Sequence, residues 1–118
     1  MARIEIVNAH EDGTPIIVEA EEGRRLVLVI EDAGVDILHR CGGRCRCTTC
    51  RVDIIEGDPG PMRDVERERL AREEEIGPNV RLSCQILVKN DLKIEPIYRL
   101  HKTDFSDPGP RPKEELEP

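Results

Sequence analysis

Apolar and polar residues alternate along "RIEIVNA" (Arg3 to Ala9), and a second apolar-led run, "IIVEAEEG", follows the Gly- and Pro-containing stretch "HEDGTP". Period-two alternation broken by such a stretch predicts a β-hairpin. The run "RRLVLVIEDAG" (Arg24 to Gly34) is rich enough in Val, Leu and Ile to be a buried strand. However, Leu26, Ile30 and Ala33 share one face at helical spacing, and Gly34 stands where a helix would end, so a helix is predicted. From His39 to Arg51 no conventional apolar side chain occurs, which makes this segment an exposed loop or a wrapping around a bound group. "VDIIEG" (Val52 to Gly57) reads as a strand stopped by "GDPGP". "MRDVERERLAREEEI" reads as a helix with Pro61 just ahead of its first turn, and its apolar stripe is so thin that most of it should be solvated. "RLSCQILV" and "LKIEPI" are short extended segments around the turn pair Asn90-Asp91. Strands outnumber helices in the order β-β-α-loop-β-α-β, an α+β pattern.

Length and charge narrow the possibilities. A chain of 118 residues is most simply one domain, long enough to bury one modest core. Tyr98 and Phe105 are the only aromatics, so a platform for stacking nucleobases is missing. A net charge of −7 argues against nucleic acid or an anionic membrane as partner and favours a basic protein partner or simple solubility. No stretch reaches the ~18 apolar residues of a membrane helix. "MARIEIVNAH" lacks the basic start and apolar run of a signal peptide, so a cytoplasmic location is expected. From about Lys102 the chain turns to "KTDFSDPGPRPKEELEP", whose proline and charge suggest a disordered tail. Any anchoring of that tail is expected from Tyr98, Leu100 or Phe105.

The chemistry lies in "HRCGGRCRCTTCR", residues 39–51, which holds Cys41, Cys45, Cys47 and Cys50; the fifth cysteine, Cys84, is distant. In a reducing compartment clustered thiols point to metal rather than disulfides, and five cysteines cannot all pair within one chain. Structural zinc asks for two Cys-x-x-Cys pairs, or one pair and two histidines; here Cys47 and Cys50 form one pair, and His10, His39 and His101 are scattered. A thioredoxin-like pair opens a helix, whereas "CTTC" leads into the strand "RVDII". Metal-free structural cysteines favour apolar surroundings, unlike the Gly, Arg and Thr found here. An iron–sulfur cluster accounts for the neighbours too. Gly42 and Gly43 let backbone N–H groups approach sulfur, Thr48 and Thr49 can donate hydroxyl hydrogen bonds, and Arg44, Arg46 and Arg51 offset negative charge.

"CGGRCRCTTCRV" followed by "RLSCQ" resembles the [2Fe-2S] ferredoxins of plant and adrenodoxin-like type, over about residues 3–97. The spacing Cys41-x5-Cys47-x2-Cys50 resembles the adrenodoxin-like and bacterial relatives, whose loop is one residue longer than the plant-type spacing. The resemblance implies a β-grasp fold: a mixed sheet with one main helix packed on it and a second, solvated helix. Residues 1–97 would form the domain and 98–118 a charged, Pro-rich extension. It also implies that Cys41, Cys47, Cys50 and Cys84 bind a [2Fe-2S] cluster, with Cys41 and Cys47 on the iron nearer the surface and Cys50 and Cys84 on the inner one. Cys45 has no counterpart among the ligands, and the rival spacing Cys41-x3-Cys45-x4-Cys50 lacks the Cys-x-x-Cys turn. A Rieske arrangement needs two ligating histidines, so His39 is expected as a surface or hydrogen-bonding residue.

The function implied is a soluble one-electron carrier rather than an enzyme, since no nucleophile–base pair or phosphate loop is present. The alternative is a cluster-bearing component of a larger oxidoreductase or hydroxylase system. A metal-free interaction module would be colourless, and a sulfur-carrier use, which needs a Gly-Gly tail, is not expected from the closing "EELEP". The partners implied are a reductase and an acceptor. The helix ending in Glu73-Glu74-Glu75 would dock a basic face, as in adrenodoxin-like relatives. Its interleaved arginines offer a purely solvated alternative, and the loop rim around Arg44 and Arg46 is the next candidate for docking.

Overall fold

In the computed structural model, residues 1–10, 12–74 and 76–116 are described. The elements are β1 (Ala2–Ile6), β2 (Ile16–Ala20), α1 (Leu26–Asp32), β3 (Arg51–Glu56), α2 (Asp64–Ala71), β4 (Val80–Leu82) and β5 (Leu92–Pro96), with single 3-10 turns at Ser83–Gln85 and Leu100–Lys102. They form one mixed five-stranded sheet in the order β2-β1-β5-β3-β4. β1 pairs antiparallel with β2 and parallel with β5, and β3 runs antiparallel to both β5 and β4. This is the β-grasp arrangement that the resemblance implied.

Alternation does its expected work in β1 and β5. Ala2, Ile4 and Ile6 alternate inward with Leu92, Ile94 and Pro96 of the neighbouring strand, and their intervening residues face out. α1 is buried continuously from Leu26 to Ile30, because the helix is sunk against the sheet rather than laid on its surface. That explains why its sequence also passes for a strand: a helix buried all round leaves no polar face to betray its period. Gly34, at φ +89°, ends it, with its N–H donating to Glu31 O at 2.9 Å.

Two expectations change. The run "RLSCQILV" is not one strand. It leaves the sheet after Leu82 and turns in a single 3-10 step over Ser83–Gln85, held by Ser83 N–H and Oγ donating to Cys50 O at 3.1 and 2.8 Å. α2 is shorter than expected, and it is tied down by charge as well as by Leu70. Glu66 is fully buried and accepts from Arg81 Nε at 2.6 Å, Arg81 Nη2 at 2.9 Å and Leu82 N–H at 3.0 Å. Breaking such a buried pair from one side typically costs about 3–5 kcal/mol, so this one contact fixes α2 beside the Cys84 turn.

The tail is ordered by polar contacts, not by its large apolar residues. Tyr98 and Phe105 stay exposed, lying beneath Arg51 and Arg40 as cation–π partners, and Leu100 is half-buried. The anchors are buried Arg99, which pairs with Asp36 and donates to Asn8 O and Ala9 O, and buried Pro112. Gly109, at φ +111°, lies so close to His39 that a Cβ would meet its carbonyl oxygen at 2.6 Å. Residues 107–114 therefore lie as a strap across the cysteine loop. No helix among the described residues is long and apolar enough to cross a membrane.

Candidate metal centre

Gly42 and Gly43, at φ +67° and +79°, and Cys45, at φ +60°, curl the loop into successive left-handed turns. Such turns bring consecutive N–H groups to one side, a concavity suited to negative charge. The N–H groups of Arg46, Cys47 and Arg44 point at the Cys41 sulfur. The Cys47 thiol and then these amides hold Cys41 down at about 4, against burial. Cys47, hydrogen-bonded to the resulting thiolate, is pushed up.

The sulfurs form two pairs. Cys41 meets Cys47 at the half-buried outer edge; Cys50, from the start of β3's approach, meets Cys84 from the 3-10 turn in the core. Within the inner pair Cys50 is pushed up and Cys84 down, by their mutual hydrogen bond. Among the described residues no three His, Cys, Asp or Glu groups converge on a point that could hold one metal ion. Two facing thiol pairs are not the tetrahedral cage of a zinc site, but they suit a group with two irons.

Donors surround the sulfurs. Thr49 Oγ1 accepts from Arg40 N–H at 3.0 Å, which leaves its hydroxyl hydrogen for Cys47 Sγ at 3.1 Å. Gln85 Nε2 donates to Cys84 Sγ at 3.5 Å, and Arg63 Nη1 fixes that amide by donating to Gln85 Oε1 at 2.7 Å. Thr48 differs from expectation: its hydroxyl accepts from Arg51 Nη2 at 2.7 Å. Arg51 also reaches Glu73 at 3.5 Å, while Arg44 and Arg46 point outward.

One positive charge against the site is one that sequence reasoning passed over. Arg25 is 1% exposed. It donates to Cys84 O from Nε at 3.0 Å and from Nη2 at 2.8 Å, to Lys113 O at 2.8 Å, and to Gly43 O. One guanidinium thus ties together the inner-ligand turn, the glycine turn and the strap. Its hydrogen bonds among the described residues all go to carbonyls, none to a carboxylate, so those residues supply no counter-ion to the buried charge. A negatively charged group held by the neighbouring thiols would offset it. A signal was present: an arginine at the start of α1, opposed to the helix dipole and with no acidic residue in the first turn.

Cys45 lies in the same loop but turns away, its Sγ donating to Val65 O of α2 at 3.5 Å. Burial, with the negative Cys84 and Glu66 nearby, pushes its thiol up to about 12, so it is a half-buried neutral thiol rather than an exposed one. Of the two expectations for His39, the hydrogen-bonding one holds and the surface one does not. His39 is buried beneath the strap with Nε2 3.2 Å from Glu31 Oε1 and Nδ1 unpartnered. On the acidic helix, Glu66 is consumed by Arg81 and Glu73 is shared between Arg69 at 2.8 Å and Arg51. Glu75, the end of the acidic run, lies outside the described residues.

Comparison with known proteins agrees with this chemistry. Residues 9–89 match the family described as the 2Fe-2S iron-sulfur cluster binding domain. A 2Fe-2S ferredoxin of Haemophilus influenzae is 40% identical over 98 residues, 78% of this chain and 87% of that protein. Among solved structures, an ISC-like [2Fe-2S] ferredoxin from Pseudomonas putida has a TM-score of 0.72 at 27% identity, covering 87% of this chain and 99% of that one. The covalent putidaredoxin reductase–putidaredoxin complex contributes a match at TM-score 0.67 and 27% identity, covering 83% of this chain and 100% of the matched chain. With the cluster-binding family's profile, a ferredoxin relative and the β-grasp fold in agreement, this chain belongs to the [2Fe-2S] ferredoxins of the plant and adrenodoxin-like superfamily, which carry single electrons on a 2Fe-2S cluster.

Proposed function

We propose that Cys41, Cys47, Cys50 and Cys84 hold the cluster, the first two at the surface edge and the last two in the core. The observation that supports this most directly is the facing of these four sulfurs as two pairs while Cys45 turns to α2. When bound, the cluster supplies reversible one-electron exchange. The chain's residues do the rest. The amides of Arg44, Arg46 and Cys47, the Thr49 hydroxyl and the Gln85 amide stabilise negative sulfur, and Arg25 offsets the charge gained on reduction. The chain turns over no substrate of its own and works in the cytoplasm, where reduced thiols persist.

The test is visible absorption with iron and acid-labile sulfide analysis of the purified protein and two variants. Cys45→Ser keeps a coloured holoprotein, whereas Cys47→Ser loses the cluster or shifts its spectrum. The opposite pattern would exchange the two cysteines' roles.

Exchange with a reductase is supported by the match to putidaredoxin in a reductase complex. Docking of a basic reductase on α2 and the turn after it rests on Glu68 and Glu74, because Asp64, Glu66 and Glu73 are internally paired. Glu68→Lys with Glu74→Lys should slow reduction by such a partner at low salt and leave the spectrum unchanged. Rates indifferent to both salt and this reversal would remove α2 from the docking surface.

A further inference from the structure

The protein carries a net charge of −7, yet the surface beside Cys41 is basic. A cleft of about 310 Å³ opens there between the cysteine loop and the C-terminal strap. Arg40, Arg44 and Arg46 line it from the loop, and Arg111 and Lys113 from the strap; no Asp or Glu is among its described lining residues. Arg40 and Arg111 have ion-pair partners, Asp107 for the first and Glu31, Asp32 and Glu114 for the second.

Arg44 and Arg46 are different. Both are exposed, and among the described residues neither guanidinium has a hydrogen bond or an ion pair. Their backbones serve the site through N–H groups aimed at Cys41. Their side chains make no hydrogen bond or ion pair among the described residues, whereas Arg40 and Arg111 beside them do. Two arginines without such partners among the described residues, projecting from the loop at the edge where the outer cysteine pair comes nearest to solvent, form a recognition surface for planar anionic groups.

We propose that this cleft docks a redox partner presenting a carboxylate patch, so that one electron passes between the cluster and that partner's redox centre at the Cys41–Cys47 edge, with no bond made or broken. The proposal rests on the reading of Cys41 and Cys47 as outer ligands. It assigns the strap a role: Arg111 and Lys113 complete one wall of the cleft, which the loop alone would leave open. It also separates two encounters on one small carrier. α2 offers carboxylates alternating with Arg67 and Arg72, whereas the cleft is lined by Arg and Lys with no Asp or Glu among its described lining residues. Donor and acceptor of opposite charge could then use different faces.

The test uses the holoprotein and a fluorescein-labelled peptide of ten glutamates, read by anisotropy at about 0.01 M and about 0.15 M ionic strength, where the Debye length falls from about 30 Å to about 8 Å. The peptide should bind the wild type saturably at low salt and lose most of its affinity at high salt. Compared at equal iron and sulfide content, Arg44→Glu with Arg46→Glu should weaken binding about tenfold or more, and Arg44→Gln with Arg46→Gln should fall between. In a companion stopped-flow measurement, the reduced protein gives one electron to ferricyanide, an anion, or to hexaamminecobalt(III), a cation. The net charge of the protein predicts that salt accelerates the ferricyanide reaction; the basic cleft predicts that salt slows it, and that the Glu variant reverses the sign. Absence of peptide binding, equal binding by wild type and the Glu variant, or a ferricyanide rate that rises with salt in the wild type would overturn the proposal. Loss of colour in the wild type would instead overturn the assignment of the four cysteines. The peptide readout needs no electron transfer, so the two failures are distinct.

Discussion

Replacing Arg25 by methionine keeps a long buried stem and removes both the charge and the donors. Three carbonyls, Cys84 O, Gly43 O and Lys113 O, lose their partner. Two of these bonds are fully buried and one is partly so. At about 1–3 kcal/mol for each buried acceptor left unsatisfied, the holoprotein should lose about 2–6 kcal/mol. That is a large share of the ~5–15 kcal/mol that stabilises a domain. A second effect works the other way without the cluster. Among the described residues Arg25 has no carboxylate partner, so removing it relieves the desolvation of an isolated charge, and the apoprotein should lose less than the holoprotein. The reduced cluster is more negative than the oxidised one, so loss of a nearby buried cation should lower the reduction potential. An interaction on the order of 1 kcal/mol corresponds to some tens of millivolts for one electron. Denaturant unfolding of both forms, followed by far-ultraviolet dichroism and visible absorption, gives the stabilities, and a potentiometric titration gives the potential. A potential unchanged or raised, or equal losses in apo- and holoprotein, would refute the role of Arg25 as counter-ion to the site.

Cutting the chain after His101 should lower the melting temperature and leave the visible spectrum in place. Gly109→Ala should do part of the same, because its Cβ would strike His39 O at 2.6 Å and its φ of +111° disfavours any side chain; equal melting of all three proteins would deny the strap a stabilising role. Asp36 adds a pH dependence: burial works to raise its pKa, but the His101 backbone N–H, the His101 ring and Arg99 together hold it at about 2, against 3.8 when free. A depressed carboxylate stabilises the fold fully above its unfolded value and loses that contribution as pH falls from about 3.8 through about 2. This is worth about 2 kcal/mol, and Asp36→Asn should remove that part of the acid sensitivity in a denaturation series between pH 6 and pH 2.

The sequence by itself determined whatever depends on local period and spacing. The alternation in β1 and β5, the helix ending at Gly34, the Cys41-x5-Cys47-x2-Cys50 interval and the mixed α+β order were legible, since each is written within a dozen residues. The resemblance added the distant Cys84 to the set. What stayed hidden lies in pairings across the chain. The extended run at residues 81–88 breaks at Ser83 because its side chain and N–H find Cys50 O, 33 positions away. Glu66 reads as one more solvated acid until Arg81 is brought opposite it. Arg25 reads as a surface charge until the fold sets Cys84 O, Gly43 O and Lys113 O around it. The tail's composition argues for disorder, and it is held by bonds from Arg25 and Arg99 and by a glycine that can lie against His39. Hydrophobic burial leaves a periodic trace in the sequence because it is non-directional and repeats with the element. A buried charge leaves none, because its cost is offset only by particular acceptors that the tertiary structure brings within bonding distance.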